Sequence, residues 1–462
     1  MTIDILPEDV LLEIFDHYVD PIQNDVGIET WCTLVHVCRK WRNVVLESPL
    51  RLNLRIHCHP TTPVREKLDV WPALPIVVAQ YDEDWEPKWG VVNVIAAFEQ
   101  NNRICQIDLW GVPTSQMEEI LAAMHKSFPV LTDLELESED ETLVPLVNPD
   151  LFLGGSAPCL RSLRLAFIPF PGLPKLLLTA THLTSLRLIN NSHSGYISPE
   201  VMVSCFSVLT RLETFILDFI SPESFPVREH RPPPPPTRTL LPTLTGLQFR
   251  GVSEYLEDLV VRIDTPLLDN LDIYLSLQFV PDTAQLAQFV NRTPKLKAHD
   301  DTHVVFCNTN FHLKLGKVFE KGLGITYDVV DWQVSSVAQV CNSSLSQAYC
   351  ANVECLYLCD HYARWRGDIR VETNHWVELL RPFTSVKSLY LSQVIVPRIA
   401  PALQELIGER VVGVLPALQT LFLEDLNISG PVQEAVGLFI SGRQFSSHPV
   451  AVSHWKKGGS ID

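Results

Sequence analysis

The chain has 462 residues, of which 46% are hydrophobic and 19% are charged, so it can form a large core and is not globally disordered. Its 36 Lys and Arg residues against 54 Asp and Glu residues give a net charge of −18. A chain this acidic is a poor electrostatic match for a phosphate backbone, which argues against general nucleic-acid binding.

No apolar run approaches the roughly 18 residues that are needed to span a bilayer. The N-terminal residues are acidic and lack the features of a signal peptide. The eleven cysteines are odd in number and scattered along the chain, which favours reduced thiols. These observations predict a soluble protein of the cytoplasm, the nucleus or both, without membrane association.

The first fifty residues contain two apolar patterns of helical period. Val10, Leu11, Ile14 and Phe15 fall on one face of a first helix, and a second pattern begins at Trp31 and passes through Leu34 and Trp41. Helices this short cannot bury so much apolar surface among themselves. The periodicity leaves two alternatives open: the helices pack onto the rest of this chain, or they bind a partner.

Two blocks of sequence resemble the F-box motif, which runs L-P-x-E-[LIV]-L-x-x-I-F and then V-C-[KR]-x-W after a variable spacer. They are LPEDVLLEIF at residues 6–15 and LVHVCRKWR at residues 34–42, and the resemblance covers roughly residues 3–50. The polar spacer between the blocks is slightly long. The resemblance implies docking on the Skp-type linker subunit of a cullin–RING ubiquitin ligase. The residues that would form or support that docking surface are Leu6, Pro7, Val10, Ile14, Phe15, Val37, Cys38 and Trp41.

The remaining chain repeats one pattern, apolar-x-x-apolar-x-apolar, which occurs ten times from Ile104 to Leu423. Successive copies start 23 to 33 residues apart, except for one interval of 85 residues between Leu268 and Val353. Leu296 and the segment 322–327 are candidate degenerate copies inside that interval. Helical patterns lie between the copies, for example at Met117, Ile120, Leu121 and Met124.

Strands and helices that alternate at this period resemble the irregular leucine-rich arrays that follow F-boxes in many fungal proteins. The predicted fold class is therefore α/β: a small N-terminal helical F-box and then a solenoid with a curved parallel sheet inside and helices outside. An ordinary α/β domain is the alternative. The predicted boundaries are residues 1–50 for the F-box, 51–103 for a connecting region with a first irregular repeat, 104–441 for the array with a loop insertion at about 221–240, and 442–462 for a disordered tail.

Several segments could carry other functions. Five prolines at residues 232–236 form either a stiff surface loop or a ligand for SH3 or WW modules. Cys350, Cys355, Cys359 and His361 lack the spacing of a structural zinc site, so we predict no metal and no cofactor. No catalytic motif occurs, and we predict that the protein is not an enzyme.

In the repeat register, one residue of each strand points into the concave side. The N-terminal strands place charges there, including Arg164 and Arg187, which could clamp a carboxylate or phosphate; the alternative is that Arg164 pairs with Glu135. The C-terminal strands place rings there. These rings are Tyr357, Tyr390 and Phe422, with Tyr274 one position beyond the row in its own strand. The rings either bind a client or are covered by the C-terminal tail or by a loop that folds back over them.

The leading hypothesis is a substrate-recognition subunit of an SCF-type ubiquitin ligase, in which the F-box binds the linker and the repeats bind an unknown protein client. A non-catalytic scaffold without ubiquitin transfer is one alternative. An α/β enzyme with a coincidental helical leader is the other.

Overall fold

The structure is a computed structural model. It describes residues 6–18, 34–47, 54–61, 63–70, 75–79, 90–139, 149–170, 172–219, 237–276, 284–296, 301–306, 310–315, 321–328, 334–342, 350–360, 373–406, 413–424 and 430–456. The polyproline run at 232–236 and His361 lie outside these residues. The chain falls into two compact units, Met1–Ile197 with Ser204–Leu212 and Ser198–Val203 with Glu213–Asp462. We call these the N-terminal and the C-terminal unit.

Two helices, Glu8–Tyr18 and Arg39–Glu47, form the start of the N-terminal unit, with a helical turn at residues 34–37. Two acidic residues in the first turn suit the positive end of the first helix. The Lys40 ammonium donates a hydrogen bond of 2.7 Å to the Leu6 carbonyl oxygen and so ties the second helix to the chain that enters the first.

Six described strands, all parallel, form the sheet of the N-terminal unit, in the spatial order β1-β2-β3-β4-β5-β6. They are β1 (Leu54–His57), β2 (Ile76–Ala79), β3 (Ile104–Val112), β4 (Asp133–Ser138), β5 (Ser162–Ala166) and β6 (Ser185–Asn191). The helices of this unit are Val64–Val70, Val91–Phe98, Thr114–Ala123 and Leu173–Leu177, and the helix Pro199–Phe206 is divided between the units.

The repeated apolar pattern builds the core of this sheet. Side chains alternate along a strand, so the two apolar residues at the end of each motif point to one face. Leu134 and Leu136 of β4 are buried there, as are Leu163 and Leu165 of β5. Met117, Ile120, Leu121 and Met124 of the helix after β3 are all buried, as their spacing predicts. The leucine-rich register is therefore confirmed in the N-terminal unit.

The C-terminal unit contains twelve described strands. Ten follow the spatial order β7-β9-β11-β14-β13-β12-β15-β16-β17-β18, and β8 pairs with β10 separately. They are β7 (Thr214–Phe219), β8 (Thr239–Leu240), β9 (Gly246–Gly251), β10 (Ile263–Asp264), β11 (Asn270–Ser276), β12 (Asp301–Phe306), β13 (Asn310–Leu315), β14 (Leu323–Asp328), β15 (Cys355–Asp360), β16 (Ser388–Leu391), β17 (Thr420–Leu423) and β18 (Ala451–His454). The helices are Ser253–Val260, Ala284–Asn291, Val334–Cys341, Thr373–Leu380, Val396–Glu405 and Pro431–Phe445.

Neighbouring repeats of this unit are joined by buried polar groups as well as by apolar packing. The Glu257 carboxylate, buried in the helix Ser253–Val260, accepts hydrogen bonds of 2.7 and 2.8 Å from the backbone N–H groups of Gln285 and Leu286. These donors lie at the start of the next helix, where backbone N–H groups have no partner within the helix. Glu257 therefore caps the helix of the following repeat.

The sheet of the C-terminal unit is parallel except at β13, which runs antiparallel to both β12 and β14. This arrangement differs from the continuous parallel sheet that the repeat pattern predicts. The connections around β13 are only a few residues long, and a parallel crossover needs a dozen or more. Of the two candidate degenerate copies, residues 322–327 fall largely in β14, whereas Leu296 ends a 3₁₀ turn, Pro294–Leu296, and forms no strand.

The prediction of a disordered tail over 442–462 is wrong for residues 442–456. The helix Pro431–Phe445 extends into this segment, and β18 pairs with β17 in parallel. The Ala451 N–H donates to the Gln419 carbonyl oxygen at 2.8 Å, so β18 provides hydrogen-bond partners for the backbone of β17. Residues 457–462 lie outside the described residues.

Candidate functional site

The N-terminal helices expose apolar side chains. Ile14 is 43% exposed and Val37 is 56% exposed, and Pro7 is exposed as well. The other predicted docking residues that keep some exposure are Leu6, Val10, Cys38 and Trp41, which are half-buried. Large apolar side chains left in water on a small helical unit are typical of a surface that binds a partner.

Phe15 is fully buried, whereas a residue that contacts a partner directly must be exposed. The Phe15 ring meets the Trp41 ring edge-on with the centroids 4.8 Å apart. The Trp41 N–H in turn donates to the Cys38 thiol at 3.4 Å, which satisfies one backbone donor at the start of the second helix. Phe15 therefore supports the exposed surface from inside and does not form part of it.

One row of residues crosses the sheet of the C-terminal unit in register, on the face opposite the leucine core. Each member pairs with the next across neighbouring strands, in the order Asp272, Gly324, Lys314, His303, Tyr357, Tyr390, Phe422 and Ser453. The three rings that the sequence placed in one row are adjacent in it. The strands β12 to β14 contribute three members that the repeat pattern did not predict.

Four of these side chains form a continuous ring stack, which we call the aromatic ladder: His303, Tyr357, Tyr390 and Phe422. Successive ring centroids are 4.2, 4.1 and 4.3 Å apart, and the rings are inclined by only 7°, 12° and 5°. The three phenyl rings are half-buried. The ladder therefore presents ring edges, not ring faces, to the surroundings.

His303 and Tyr357 of the aromatic ladder are uncharged at neutral pH. Burial lowers the pKa of His303 to about 4, against the opposing influence of the Asp301 carboxylate. Burial, with Tyr390 and Asp301 nearby, raises the pKa of Tyr357 well above its usual range. A neutral aromatic surface is suited to contact with apolar or aromatic groups.

Trp455 covers one side of the ladder. Its ring stands edge-on to Tyr357 and Tyr390, with centroid distances of 6.1 and 5.6 Å, and its indole N–H donates to the Leu391 carbonyl oxygen at 3.1 Å. The sequence left open whether the rings are free or covered by the tail; the structure shows partial cover by one tail residue. A signal for β18 exists in the spacing, because Ala451 follows its partner Thr420 by 31 residues, close to the 33 and 32 of the preceding repeats.

A polar cluster lies in the same row next to the ladder. The Lys314 ammonium is 3.4 Å from Asp272 Oδ1, and the Lys314 side chain is only 6% exposed. Gly324 lies between the two residues in register, and the absence of its side chain leaves room for them to meet. His312 shares a hydrogen bond of 2.7 Å with the Thr326 hydroxyl beside the pair. The Asp272 charge is thus neutralised within the sheet.

Arg164 and Arg187, which the sequence predicts as a pair on neighbouring strands, have different contacts. Arg164 Nη1 lies 2.7 Å from both Glu135 Oε1 and Glu137 Oε2, which is the cross-strand pairing expected as the alternative. Arg187 pairs in register with Arg164 but is exposed and forms no ion pair among the described residues. Of these two arginines, Arg187 is therefore the one whose charge is free to contact a ligand.

Tyr274 lies apart from the other predicted rings. The Arg250 guanidinium is 5.1 Å from its ring centroid, and two strands, β14 and β13, separate the strand of Tyr274 from His303, the first ring of the ladder. Arg250 also lies 3.7 Å from Asp218 Oδ2. The structure therefore places Tyr274 in a separate charged group.

Within the described parts of the chain, no three His, Cys, Asp or Glu residues lie close enough to hold a metal ion. Burial raises the pKa of Cys105, Cys205 and Cys355 to about 11, so these thiols stay protonated at neutral pH and are poor nucleophiles. No helix among the described residues is long and apolar enough to cross a membrane.

Comparison with known families bears on the N-terminal helices. Residues 3–56 match the model of the F-box-like family. The chain begins with an F-box-like domain. Strand–helix repeats of leucine-rich type follow this domain.

No curated protein sequence matches the chain. A solved structure, that of the leucine-rich repeat-containing protein LegL7 from Legionella pneumophila, is 15% identical in sequence. The match covers 84% of this chain and 97% of that chain, with a TM-score of 0.27, which is too low to support an inference.

Proposed function

We propose that this protein is a substrate-recognition subunit of an SCF-type ubiquitin ligase. The observation that carries the proposal is the F-box-like domain at residues 3–56, in which Ile14 of the first helix and Val37 of the helical turn before the second helix are exposed. F-box domains generally bind a Skp-type linker, and an exposed apolar pair on a small helical unit is the kind of surface that such a partner would cover. The linker would connect this chain to a cullin and a RING subunit.

The proposed mechanism requires no catalytic residue in this chain. The repeats would hold a protein client near the charged ubiquitin-conjugating enzyme, and proximity of this kind lowers the barrier of a bimolecular step. The residues we propose for client contact are the ladder rings Tyr357, Tyr390 and Phe422, together with Arg187. Arg164 and Tyr274 have a weaker case, because each already contacts a charged side chain. This role places the protein in the cytoplasm or the nucleus.

The proposed domain organisation assigns linker binding and client binding to different parts of the chain. Residues 1–50 would bind the linker, 51–103 would connect, and 104–441 would carry the client-binding array, with an insertion at about 221–240. The described helix Pro431–Phe445 and β18 continue the array past residue 441, so we extend its end to residue 456.

Co-expression with the Skp-type linker tests the docking surface. We expect wild-type chain to capture the linker and the double variant Ile14→Glu, Val37→Glu to lose at least about tenfold in affinity, because charges would be buried at an apolar interface. Val92→Glu is the matched control, since Val92 is 77% exposed on another helix of the same unit. Equal capture by all three chains would refute the proposed surface.

Ubiquitination separates the ligase role from a scaffold role. A client that co-purifies with the wild-type chain should be ubiquitinated in a reaction that depends on the cullin, and the Ile14→Glu, Val37→Glu variant should bind the client without supporting transfer. If the client binds and the linker binds but transfer never occurs, the scaffold alternative is correct.

A further inference from the structure

The last described strand of the C-terminal unit's sheet, β18, is attached to β17 mainly through its backbone. The side chains of Ala451, Val452 and His454 in β18 are exposed, and β18 pairs only with β17 among the described strands. Backbone bonds such as Ala451 N to Gln419 O and Trp455 N to Leu423 O, at 2.8 and 3.2 Å, hold it there. Within the strand, His454 Nδ1 also lies 3.2 Å from the Leu423 carbonyl oxygen. The strand is therefore attached mainly to backbone groups of β17.

Two side chains anchor the segment. Val450 is buried before the strand, and Trp455 follows it. The Trp455 ring reaches beyond β17. Its indole N–H donates to the carbonyl oxygen of Leu391, the last residue of β16, and its ring is inclined by 71° to that of Tyr357 in β15, with the centroids 6.1 Å apart. The segment 450–456 therefore combines main-chain pairing with one aromatic side chain in a specific position, which is how extended peptides bind an open sheet edge.

We propose that the β17 edge and the aromatic ladder form a peptide-binding groove that the chain's own segment 450–456 occupies until a client displaces it. The occupant we infer is an extended peptide segment that runs parallel to β17 and places an aromatic residue where Trp455 lies. This inference rests on the proposed function, since it names the class of client that the repeats would receive.

The ladder favours this occupant over a charged one. His303 and Tyr357 are neutral at neutral pH, and the Leu391 carbonyl oxygen accepts a hydrogen bond from a ring N–H. Removal of the segment would leave the β17 backbone groups unpaired and the ladder uncovered on one side, and both features favour binding of another strand with a ring. A permanently closed edge is the competing interpretation.

The test uses a fluorescent synthetic peptide with the sequence of residues 450–456 and full-length protein. We expect the peptide to bind the Trp455→Ala chain at least about tenfold more tightly than the wild-type chain, whose groove is occupied. A peptide with Ala in place of Trp should not bind. Adding Tyr390→Ala to Trp455→Ala should abolish peptide binding, whereas adding Phe445→Ala, at a side chain that is 90% exposed on the last turn of a helix, should not.

A second variant covers the case in which Trp455→Ala leaves the segment in place. Val450→Asp with Trp455→Ala removes both anchors, and amide hydrogen exchange of β17 reports whether the edge is open. Peptide binding that restores protection of the β17 amides supports the groove. If neither variant binds the peptide, or if the Ala peptide binds as well as the Trp peptide, the inference is wrong.

Linker capture distinguishes this failure from failure of the proposed function. Both variants keep the N-terminal helices intact, so they should capture the Skp-type linker as wild type does. Capture without peptide binding overturns only the groove. Loss of capture by wild type itself counts against the ligase role.

Discussion

Replacing Gly324 with Ala tests whether the ion pair between Lys314 and Asp272 stabilises the antiparallel part of the sheet. Gly324 lies on β14, in register with Asp272 on one side and Lys314 on the other. A Cβ atom at this position would lie 2.5 Å from Asp272 Oδ1 and 3.5 Å from Lys314 Cδ. The carboxylate must therefore move away, and the contact of 3.4 Å between Nζ and Oδ1 would be lost.

The magnitude follows from the burial of the two partners. The Lys314 side chain is 6% exposed, so its charge would lose its partner in a site that water hardly reaches, whereas Asp272 is 26% exposed. Breaking a fully buried pair costs roughly 3–5 kcal/mol, which the partial exposure of Asp272 reduces to about 2–4 kcal/mol. Ala in place of Gly also lowers the conformational entropy of the unfolded chain, which stabilises the folded state by roughly 0.4–1 kcal/mol. The net expectation is a loss of about 1–3 kcal/mol in the free energy of unfolding.

Gly246→Ala is the matched control, because Gly246 lies in β9 of the same unit and a Cβ atom there would meet nothing within 4 Å. Urea unfolding of both variants should show Gly324→Ala less stable than wild type and Gly246→Ala equally or slightly more stable. In a Lys314→Met background the Gly324 substitution should cost less, since the pair is already absent. Equal stability of the two Ala variants would refute this reasoning.

Other buried groups give three more predictions. Phe15→Ala should destabilise the F-box-like domain by about 3 kcal/mol, since it empties a fully buried site; unchanged hydrogen exchange in that domain would contradict this. The pKa of His312 is lowered to about 4 by burial and by the nearby Lys314, so as the pH falls the unfolded chain binds the proton first. The contribution of His312 to stability should therefore be full at neutral pH and fall by up to about 2 kcal/mol between about pH 7 and 5. His312→Asn should reduce the dependence of the urea midpoint on pH, and the part that remains should include that of His303, whose pKa is also lowered to about 4. Glu257→Ala should cost roughly 2–3 kcal/mol in urea unfolding because two helix N–H groups lose their acceptor, whereas the exposed Glu254→Ala should change little; equal midpoints would disprove the cap.

The repeat pattern predicts the strands well because it reports a simple physical requirement. Each motif ends in two alternate apolar residues, and the sheet needs such residues on its core face in every strand. All ten copies overlap described strands, from β3 to β17. The same alternation fixes which residue faces away from the core, so the sequence could also place Tyr357, Tyr390 and Phe422 in one row.

The sequence could not decide which apolar residues of the first helix are inside. Val10, Leu11, Ile14 and Phe15 share a broad apolar arc, but one neighbouring helix covers only part of such an arc. Leu11 and Phe15, four residues apart, are fully buried, whereas Ile14 remains exposed. Burial within the arc depends on the position of the second helix, which periodicity does not give.

The repeat pattern did not predict the strands β12 and β13 or the tail strand β18, because it also reports only part of a residue's surroundings. A leucine motif marks a strand that is covered on its core face, and an edge strand with exposed side chains does not need one. Val452 of β18 is 39% exposed, so this position does not require a core leucine. In β13 the alternation is present as Phe311 and Leu313, but the short connections give no parallel repeat to which these residues could be assigned.

The antiparallel insertion preserves the row across the C-terminal unit in spite of its reversed strand. Side-chain alternation has a period of two in either direction, so a reversed strand that keeps register still offers one residue per strand to the same face. Gly324, Lys314 and His303 occupy those positions between Asp272 and Tyr357. Lys314 pairs with Asp272, Gly324 leaves room for that contact, and His303 begins the ring stack. Within three strands the row therefore passes from the ion pair of Asp272 and Lys314 to a ring stack that begins at His303.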